Sequence, residues 1–396
     1  MVTMKIQQPQ PAVTGYTPFA LGFRPFFLAA AFFSVILFPL WLGLFWQGEN
    51  IANYYQDSLG WHRHEMIYGY TMAVIAGFLL TAVTNWTNQP TPSGAPLALL
   101  FLLWLCARIM PLFNAPDILI AVIDLLFAPL LALIIALPTW RSRQHSNQIF
   151  PFILILIGAA NTATHLELLG FTTQGLTQAN QTAPFLMLWI LIIMAGRVIP
   201  FFIERATQGF QRRSWKMIET LSPATLLLLM AAQFFTNPSL ISLAAALAAV
   251  VHLIRLTGWY SHQLWREPLI WVLWLGYLWL VIGFALHALA VQGVIPLNLA
   301  LHAYFVGALG VLTLGMMARV ALGHSGRKMH LTHRAMSYAF VMLNIAAVCR
   351  VFIPLLPLDY YWTLGLAGTL WCIAFIIFLW FYTPILLKAR VDGQPG

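Results

Sequence analysis

Apolar runs long enough to cross a membrane recur along almost the whole of this chain. A helix needs roughly 20 apolar residues to span about 30 Å of hydrocarbon. Of the 396 residues, 61% are hydrophobic and only 8% are charged, which is more apolar surface than a soluble domain can bury. The sequence therefore predicts an all-α integral membrane protein of about 12 transmembrane helices. The runs begin near Pro25, His62, Pro96, Pro116, Phe150, Thr182, Met217, Pro238, Pro268, Asn298, Thr332 and Tyr360.

The predicted membrane domain leaves room for short tails only. We interpret residues 1–23 as a cytoplasmic N-terminal tail, 24–388 as a single transmembrane helical domain and 389–396 as a cytoplasmic C-terminal tail. The first apolar run is too long for the core of a signal peptide, so we expect it to be retained as the first span.

Basic residues concentrate in alternate connections between the predicted spans. Arg141 follows the fourth span, Arg213 the sixth and Lys388 the twelfth, whereas the connections after odd-numbered spans carry few basic residues. Because short cytoplasmic loops are enriched in Lys and Arg, this pattern predicts a multi-pass protein of the bacterial inner membrane with both termini in the cytoplasm. The formal net charge of +9 thus indicates topology in the lipid bilayer and no nucleic-acid partner.

Short similar segments recur with a period near 120 residues. The segments AGFLLT from Ala76, AGRVIP from Ala195 and MARVAL from Met317 lie in the second, sixth and tenth spans, 119 and 122 residues apart. His62 and His302 start the second and tenth spans, 240 residues apart. Four helices per period predict three parallel four-helix units, an arrangement that disfavours the two-repeat plan of many transporters.

Five of the 11 histidines fall at one predicted depth, at the periplasmic ends of their spans. An ionisable residue at membrane depth is costly and so indicates a function, and neutral imidazole binds copper, zinc and haem iron. Each one alone is equally consistent with an interfacial residue, but their shared depth favours a metal site. The predicted metal ligands are His62, His64, His165, His287 and His302.

The spacing of the first two histidines restricts this prediction. Two residues apart on a helix, His62 and His64 point about 200° apart and cannot bind one metal there. They could do so only if the chain is extended before the span begins. Otherwise we expect His64 to face inward with Tyr68, and His62 to face a second centre or water. Glu65 and Glu167 lie in the same layer, where a carboxylate can orient an imidazole or carry a proton.

Two arginines occupy matching repeat positions near the cytoplasmic ends of their spans. Arg197 and Arg319 are consistent with binding to lipid phosphates or haem propionates, and equally with cations that extend to the membrane surface.

Several segments resemble signature segments of the NnrS family. They are WHRHEMIYGY from Trp61, AGFLLTAVTNWT from Ala76, GRVIPFF from Gly196 and LHAYFVGALGVLTLGMMARVALGHSGR from Leu301, and GFRPFF and PLIWVLWLGYLWL also fit. The resemblance covers nearly the whole chain. It implies a twelve-span bacterial membrane protein that contains haem and copper and is linked to denitrification and to tolerance of nitric oxide.

The resemblance also implies roles for particular residues. By position it carries over His62, His64, Glu65, His302, Arg197, Arg319, His324 and Arg327, and His165 fits a helix end where the family has a similar His. The predicted cofactor-binding residues are His62, His64, His165, His302, Arg197 and Arg319. The ninth span carries Trp274 where the family pattern suggests a His, with His287 further on. Which His binds haem and which binds copper stays open.

These observations predict a haem- and copper-dependent protein that binds nitric oxide near the periplasmic face. If it also reduces the gas, as a nitric-oxide reductase does, Glu65, Tyr68 and Glu167 are the candidates for proton delivery. Reduction would need an external electron donor, a quinol or a redox protein, because the chain has no CxxCH haem attachment. Two alternatives stay open: a nitric-oxide binding or sensor protein without turnover, and a transporter that takes up a metal or small solute at the His layer.

Overall fold

A computed structural model describes residues 15–49, 52–329 and 333–394, and twelve of its helices are long and apolar enough to cross a membrane. The predicted number of spans is therefore confirmed, and most spans begin within a few residues of the predicted positions. In chain order they are Phe23–Gln47, Ser58–Thr87, Ala95–Phe113, Asp117–Arg141, His145–Leu168, Thr182–Ala206, Lys216–Phe234, Pro238–Thr257, Pro268–Val291, Leu297–His324, Arg334–Leu355 and Tyr360–Leu387.

Local sequence sets several of the helix ends. The Asp359 carboxylate accepts hydrogen bonds from the backbone N–H groups of Tyr361 and Trp362 at 2.9 and 3.1 Å and so caps the twelfth span. Asn237 caps the eighth span in the same way, just ahead of Pro238 at the first helical position. Each cap satisfies backbone donors that a helix N-terminus leaves free.

The second and tenth spans form the centre of the bundle. In their most apolar windows 72% and 83% of the residues are buried, against 33–61% in the other ten spans. Together with the sixth span they enclose an apolar cavity of about 90 Å³ lined by residues such as Ile75, Met194 and Leu312. The three spans that carry the predicted sequence repeat therefore meet at one place.

Both central spans change helix type near their first turns. Glu65–Thr71 in the second span and Ala303–Gly310 in the tenth are π-helical, and each follows directly on a histidine, His64 or His302. The π-helix is rare and often occurs at functional sites. Its presence at matching places of the repeat indicates a functional site at this end of the bundle. We call this end, which holds His62, His64, His165, His287 and His302, the His end.

The first and twelfth spans approach closely through a glycine. A Cβ atom added at Gly368 would overlap the ring of Phe38, whereas one added at Gly365, on the preceding turn, would lie an ordinary 3.6 Å from the ring of Trp46. Small residues at helix crossings allow such close packing in membrane proteins.

We predict that Gly368→Ala destabilises the protein by about 1–3 kcal/mol, because the added methyl group forces the Phe38 ring out of its place. The measurement is thermal unfolding of the purified protein in detergent. Gly365→Ala is the matched control, and it should leave the melting temperature unchanged or slightly raised, because alanine favours a helix by roughly 0.5–1 kcal/mol over glycine. Equal melting temperatures for the two variants would contradict the described packing.

Candidate metal centre

A buried ion-pair network lies at the His end between the second, third and fourth spans. Arg108 Nη1 donates to Oε1 and Oε2 of Glu65 at 3.0 and 3.1 Å, and Arg108 Nη2 pairs with Oδ1 of Asp124. All three side chains are at most 4% exposed. One guanidinium faces two carboxylates, so the network carries one formal negative charge that it does not itself neutralise.

Two histidines converge on the second of these carboxylates. Oδ2 of Asp124 lies 3.2 Å from Nε2 of His64 and 2.9 Å from Nε2 of His165. The ligand atoms of the three residues all lie within 4.8 Å of one another, and all three residues are buried. The structure thus brings two of the predicted metal ligands together with a carboxylate from the fourth span.

The partners of His165 indicate where its proton lies. Burial raises the pKa of Tyr54, so its hydroxyl stays protonated and donates to His165 Nδ1 at 2.6 Å. A neutral His165 then carries its own hydrogen on Nε2 and donates it to Asp124. A metal ion bound at this Nε2 would have to displace that proton.

His64 has the opposite arrangement. Oε1 of Glu65 lies 3.2 Å from its Nδ1 and accepts a hydrogen bond there. Its Nε2 then faces two acceptors, Oδ1 of Asn161 and Oδ2 of Asp124, each at 3.2 Å. The Asn161 amide is fixed in this orientation because its Nδ2 donates to the same Asp124 oxygen at 2.6 Å. If Nε2 of His64 carries a lone pair, it faces two oxygen atoms that also carry lone pairs. A positive charge between them, either a proton on His64 or a metal cation, would remove this repulsion.

The donor set and the charge of this group fit a transition-metal ion. Two imidazole nitrogens and one carboxylate oxygen form a set used by copper, zinc and non-haem iron. A cation would also neutralise the negative charge that Glu65, Arg108 and Asp124 leave, and an uncompensated buried charge is costly.

Two cavities adjoin the group. The larger, about 270 Å³, extends from Tyr55 and Asp57 in the connecting segment to His64, Tyr68 and Glu167. A smaller one, about 10 Å³, touches Tyr68, Arg108 and Asp124 on the other side; it is about the size that holds one water molecule. Tyr68 lines both cavities, and its buried hydroxyl has no hydrogen-bond partner among the described residues.

His62 and His302 belong to a second group. The ring of His62 stacks on Trp41 with centroids 4.0 Å apart, and His302 Nδ1 donates to the Asn298 carbonyl at 2.5 Å. Arg350, from the eleventh span, lies near enough to both histidines to act on them electrostatically. The ring of His64, in contrast, contacts Tyr68 with centroids 4.8 Å apart. The predicted divergence of His62 and His64 is therefore present.

His287 joins neither group. It is buried next to the rings of Phe185 and Tyr304, with centroids 5.9 and 6.0 Å away, and its Nδ1 has no hydrogen-bond partner among the residues that the structure describes. Its predicted role as a metal ligand stays a prediction.

The two predicted arginines lie toward the opposite end of the bundle. Arg197 donates to Oδ1 of Asn147 at 2.6 Å and to the Ser146 carbonyl at 3.1 Å, and the Arg319 guanidinium lies 3.8 Å from the centre of the Phe202 ring. These contacts give each side chain a structural role. The structure does not bring either one to the histidines, and their predicted cofactor binding stays a prediction.

Sequence reasoning missed four members of the centre. Arg108 and Asp124 are charged residues inside apolar runs, which is a signal in itself. Asn161 is a weaker polar signal in the fifth span. Nothing in the sequence singles out Tyr54, which reaches His165 only because of the way the connecting segment folds.

The family model described as NnrS protein matches residues 17–390 of the chain. The match contains all twelve spans, from Phe23 to Leu387. No curated protein matches the chain.

We predict that Arg108→Gln destabilises the folded protein by about 3–5 kcal/mol, because it leaves the buried carboxylates of Glu65 and Asp124 without their cation. Thermal or denaturant unfolding in detergent measures the effect. Arg63→Gln is the control: Arg63 is exposed, lies two residues before the same glutamate and donates to the Leu59 carbonyl, so its loss should cost little. Similar losses for both variants would show that the buried network does not stabilise the fold.

Proposed function

The chain belongs to the NnrS family, and on this premise we propose that it is a haem- and copper-dependent protein that binds nitric oxide at the His end. Family membership makes it a multi-pass membrane protein of the nitric-oxide response. The proposal goes further, to the cofactors, to the residues that hold them and to the gas. The single observation that carries it is the convergence of His64, Asp124 and His165 in a buried network where one guanidinium faces two carboxylates.

We assign copper to the group of His64, Asp124 and His165. The adjoining cavity, about 270 Å³, lies just below the range of about 300–1000 Å³ typical of organic-ligand pockets. It suits a metal ion and a diatomic gas better than a porphyrin. When bound, the metal would supply a coordination position for the gas. Glu65 and Asn161 orient His64 for this role, and Tyr54 orients His165.

Haem is assigned to the second group, around His62 and His302. These imidazoles come from two different spans, and either one could hold the haem iron and leave a position open for the gas. Nδ1 of His62 is buried without a hydrogen-bond partner among the described residues, so this imidazole has a nitrogen free for another role. When bound, haem iron would supply a second site for the gas.

The larger cavity offers nitric oxide and protons a way to the copper group. Glu167 lines it near the surface, and Tyr68 lines it at the depth of His64. The Tyr68 hydroxyl, which lacks an acceptor among the described residues, can donate a hydrogen bond to a molecule in the cavity. In the inner membrane with the His end toward the periplasm, a quinol or a redox protein would supply electrons for any reduction.

We predict that His64→Ala, His165→Ala and Asp124→Asn each lower the copper content of the purified protein at least about tenfold, because each removes a metal ligand. Elemental mass spectrometry measures copper, and the haem absorbance measures haem. Asp117→Asn and His262→Ala are matched controls with exposed side chains, and they should keep both cofactors. His62→Ala and His302→Ala should instead lower haem while copper stays. Copper retained in all three variants of the first group would refute the assignment.

Turnover is tested by the stoichiometry of gas loss. With an electron donor present, we expect purified protein to remove nitric oxide beyond one or two molecules per chain, and Tyr68→Phe to slow this loss without changing metal content. A gas electrode provides the measurement. Loss that stops at one or two molecules would indicate a binding or sensor protein. Absence of a haem band, with solute uptake into vesicles, would indicate a transporter.

A further inference from the structure

A buried arginine at the His end has no counter-charge among the residues that the structure describes. Arg350 is 7% exposed, and its Nη2 donates to the hydroxyl of Tyr360 at 3.0 Å. Its Nε and Nη1 have no hydrogen-bond partner, and no Asp or Glu pairs with it among the described residues 15–49, 52–329 and 333–394. A buried guanidinium in this state is costly, which indicates that something outside the chain completes its surroundings.

The internal repeat provides a comparison. Arg108 and Arg350 lie 242 residues apart, each five residues before the end of its span, the third and the eleventh. Arg108 pairs with Glu65 and Asp124. At the separations of the repeat, 240 and 242 residues, the chain has Phe305 and Leu366 in place of these carboxylates. The third unit therefore keeps the arginine and lacks both anions that neutralise it in the first unit.

Other buried nitrogens without partners among the described residues lie on His62, on which Arg350 acts electrostatically, and on Trp41, which stacks on His62. The charge of Arg350 acts on both His62 and His302. Nδ1 of His62 and Nε1 of Trp41, whose rings stack on each other, are both buried without a hydrogen-bond partner among the described residues. One cation and two neighbouring N–H or imidazole groups favour an anion over a metal as the ligand of Arg350 itself.

We propose that Arg350 binds a monoanion with two acceptor oxygens, the chemistry that a carboxylate shares with the nitrite ion. A guanidinium matches such an anion in charge and in hydrogen-bond geometry. Two sources can supply it: a propionate of the haem assigned to His62 and His302, or a small free anion. In the first case the inference rests on the proposed function; in the second it stands without it.

The experiment compares two probes on the wild-type protein and on Arg350→Gln, both purified in detergent. Haem and haem dimethyl ester, whose propionates are blocked, are titrated into protein prepared without haem, and binding is followed by absorbance. Sodium formate and sodium nitrite are titrated separately in a calorimeter. Arg266→Gln, which removes an exposed arginine toward the opposite end of the bundle, is the matched control.

If the anion is a propionate, wild-type protein binds haem about tenfold or more tightly than the ester, and Arg350→Gln loses this preference. If it is a free ion, wild-type protein binds formate or nitrite saturably and Arg350→Gln does not. Arg266→Gln behaves as the wild type in both cases. A wild-type protein with neither property, or a preference that survives in Arg350→Gln, overturns the proposal.

Two further measurements distinguish a failure of the anion proposal from misfolding of the variant and from a failure of the copper assignment. If Arg350→Gln fails to fold, as judged by thermal unfolding, the haem, ester, formate and nitrite titrations of the wild-type protein still test the proposal. Arg350→Lys is then the second variant, because it keeps the charge and removes the planar guanidinium. Copper content reports on His64, Asp124 and His165 alone. Copper retained in Arg350→Gln together with a lost preference for haem over its ester supports the proposal. Because copper content and haem preference are measured separately, a failure of this proposal can be distinguished from a failure of the copper assignment.

Discussion

The His end of this bundle depends on one guanidinium between two carboxylates. Arg108 joins the second, third and fourth spans through Glu65 and Asp124 in a place from which solvent is excluded. Such a network gains little net stability over apolar packing, but it fixes its members in position because any displacement leaves a buried charge unpaired. His64 and His165 take their orientation from this fixed frame, and the candidate metal centre follows from it.

The charges of the two groups at the His end are complementary. In the first group two carboxylates share one guanidinium, and in the second the guanidinium of Arg350 has no anion among the described residues. A cation at the first and an anion at the second would satisfy both. A metal ion and a carboxylate-bearing porphyrin have these charges, so the cofactor assignment agrees with the electrostatics of the protein at both places.

The number of spans and their positions in the chain could be predicted because lipid imposes a length and a polarity on every span. The site could be predicted in part. The shared depth of His62, His64, His165 and His302 follows from topology alone, whereas their division into two groups depends on which helices are neighbours. Asp124 was missed because a single acidic residue in an apolar run does not indicate which side chains it contacts. Its position between His64 and His165 follows only from the packing of the second, fourth and fifth spans. Tyr54 could not be predicted at all, because the connecting segment has no periodic pattern.

The π-helical segments of the two central spans separate the His end from the rest of each helix. An α-helix turns about 100° per residue, so one residue gained or lost anywhere along a regular span would rotate everything beyond it. Glu65–Thr71 and Ala303–Gly310 lie between the histidines and the packed middle of the bundle, where the wider turn holds an additional residue. Removal of one residue there would restore a regular helix in which the histidines and the packed middle of the bundle keep nearly the same angle to each other. The wider turn thus adds one residue directly after His64 and after His302 without rotating the remainder of either span.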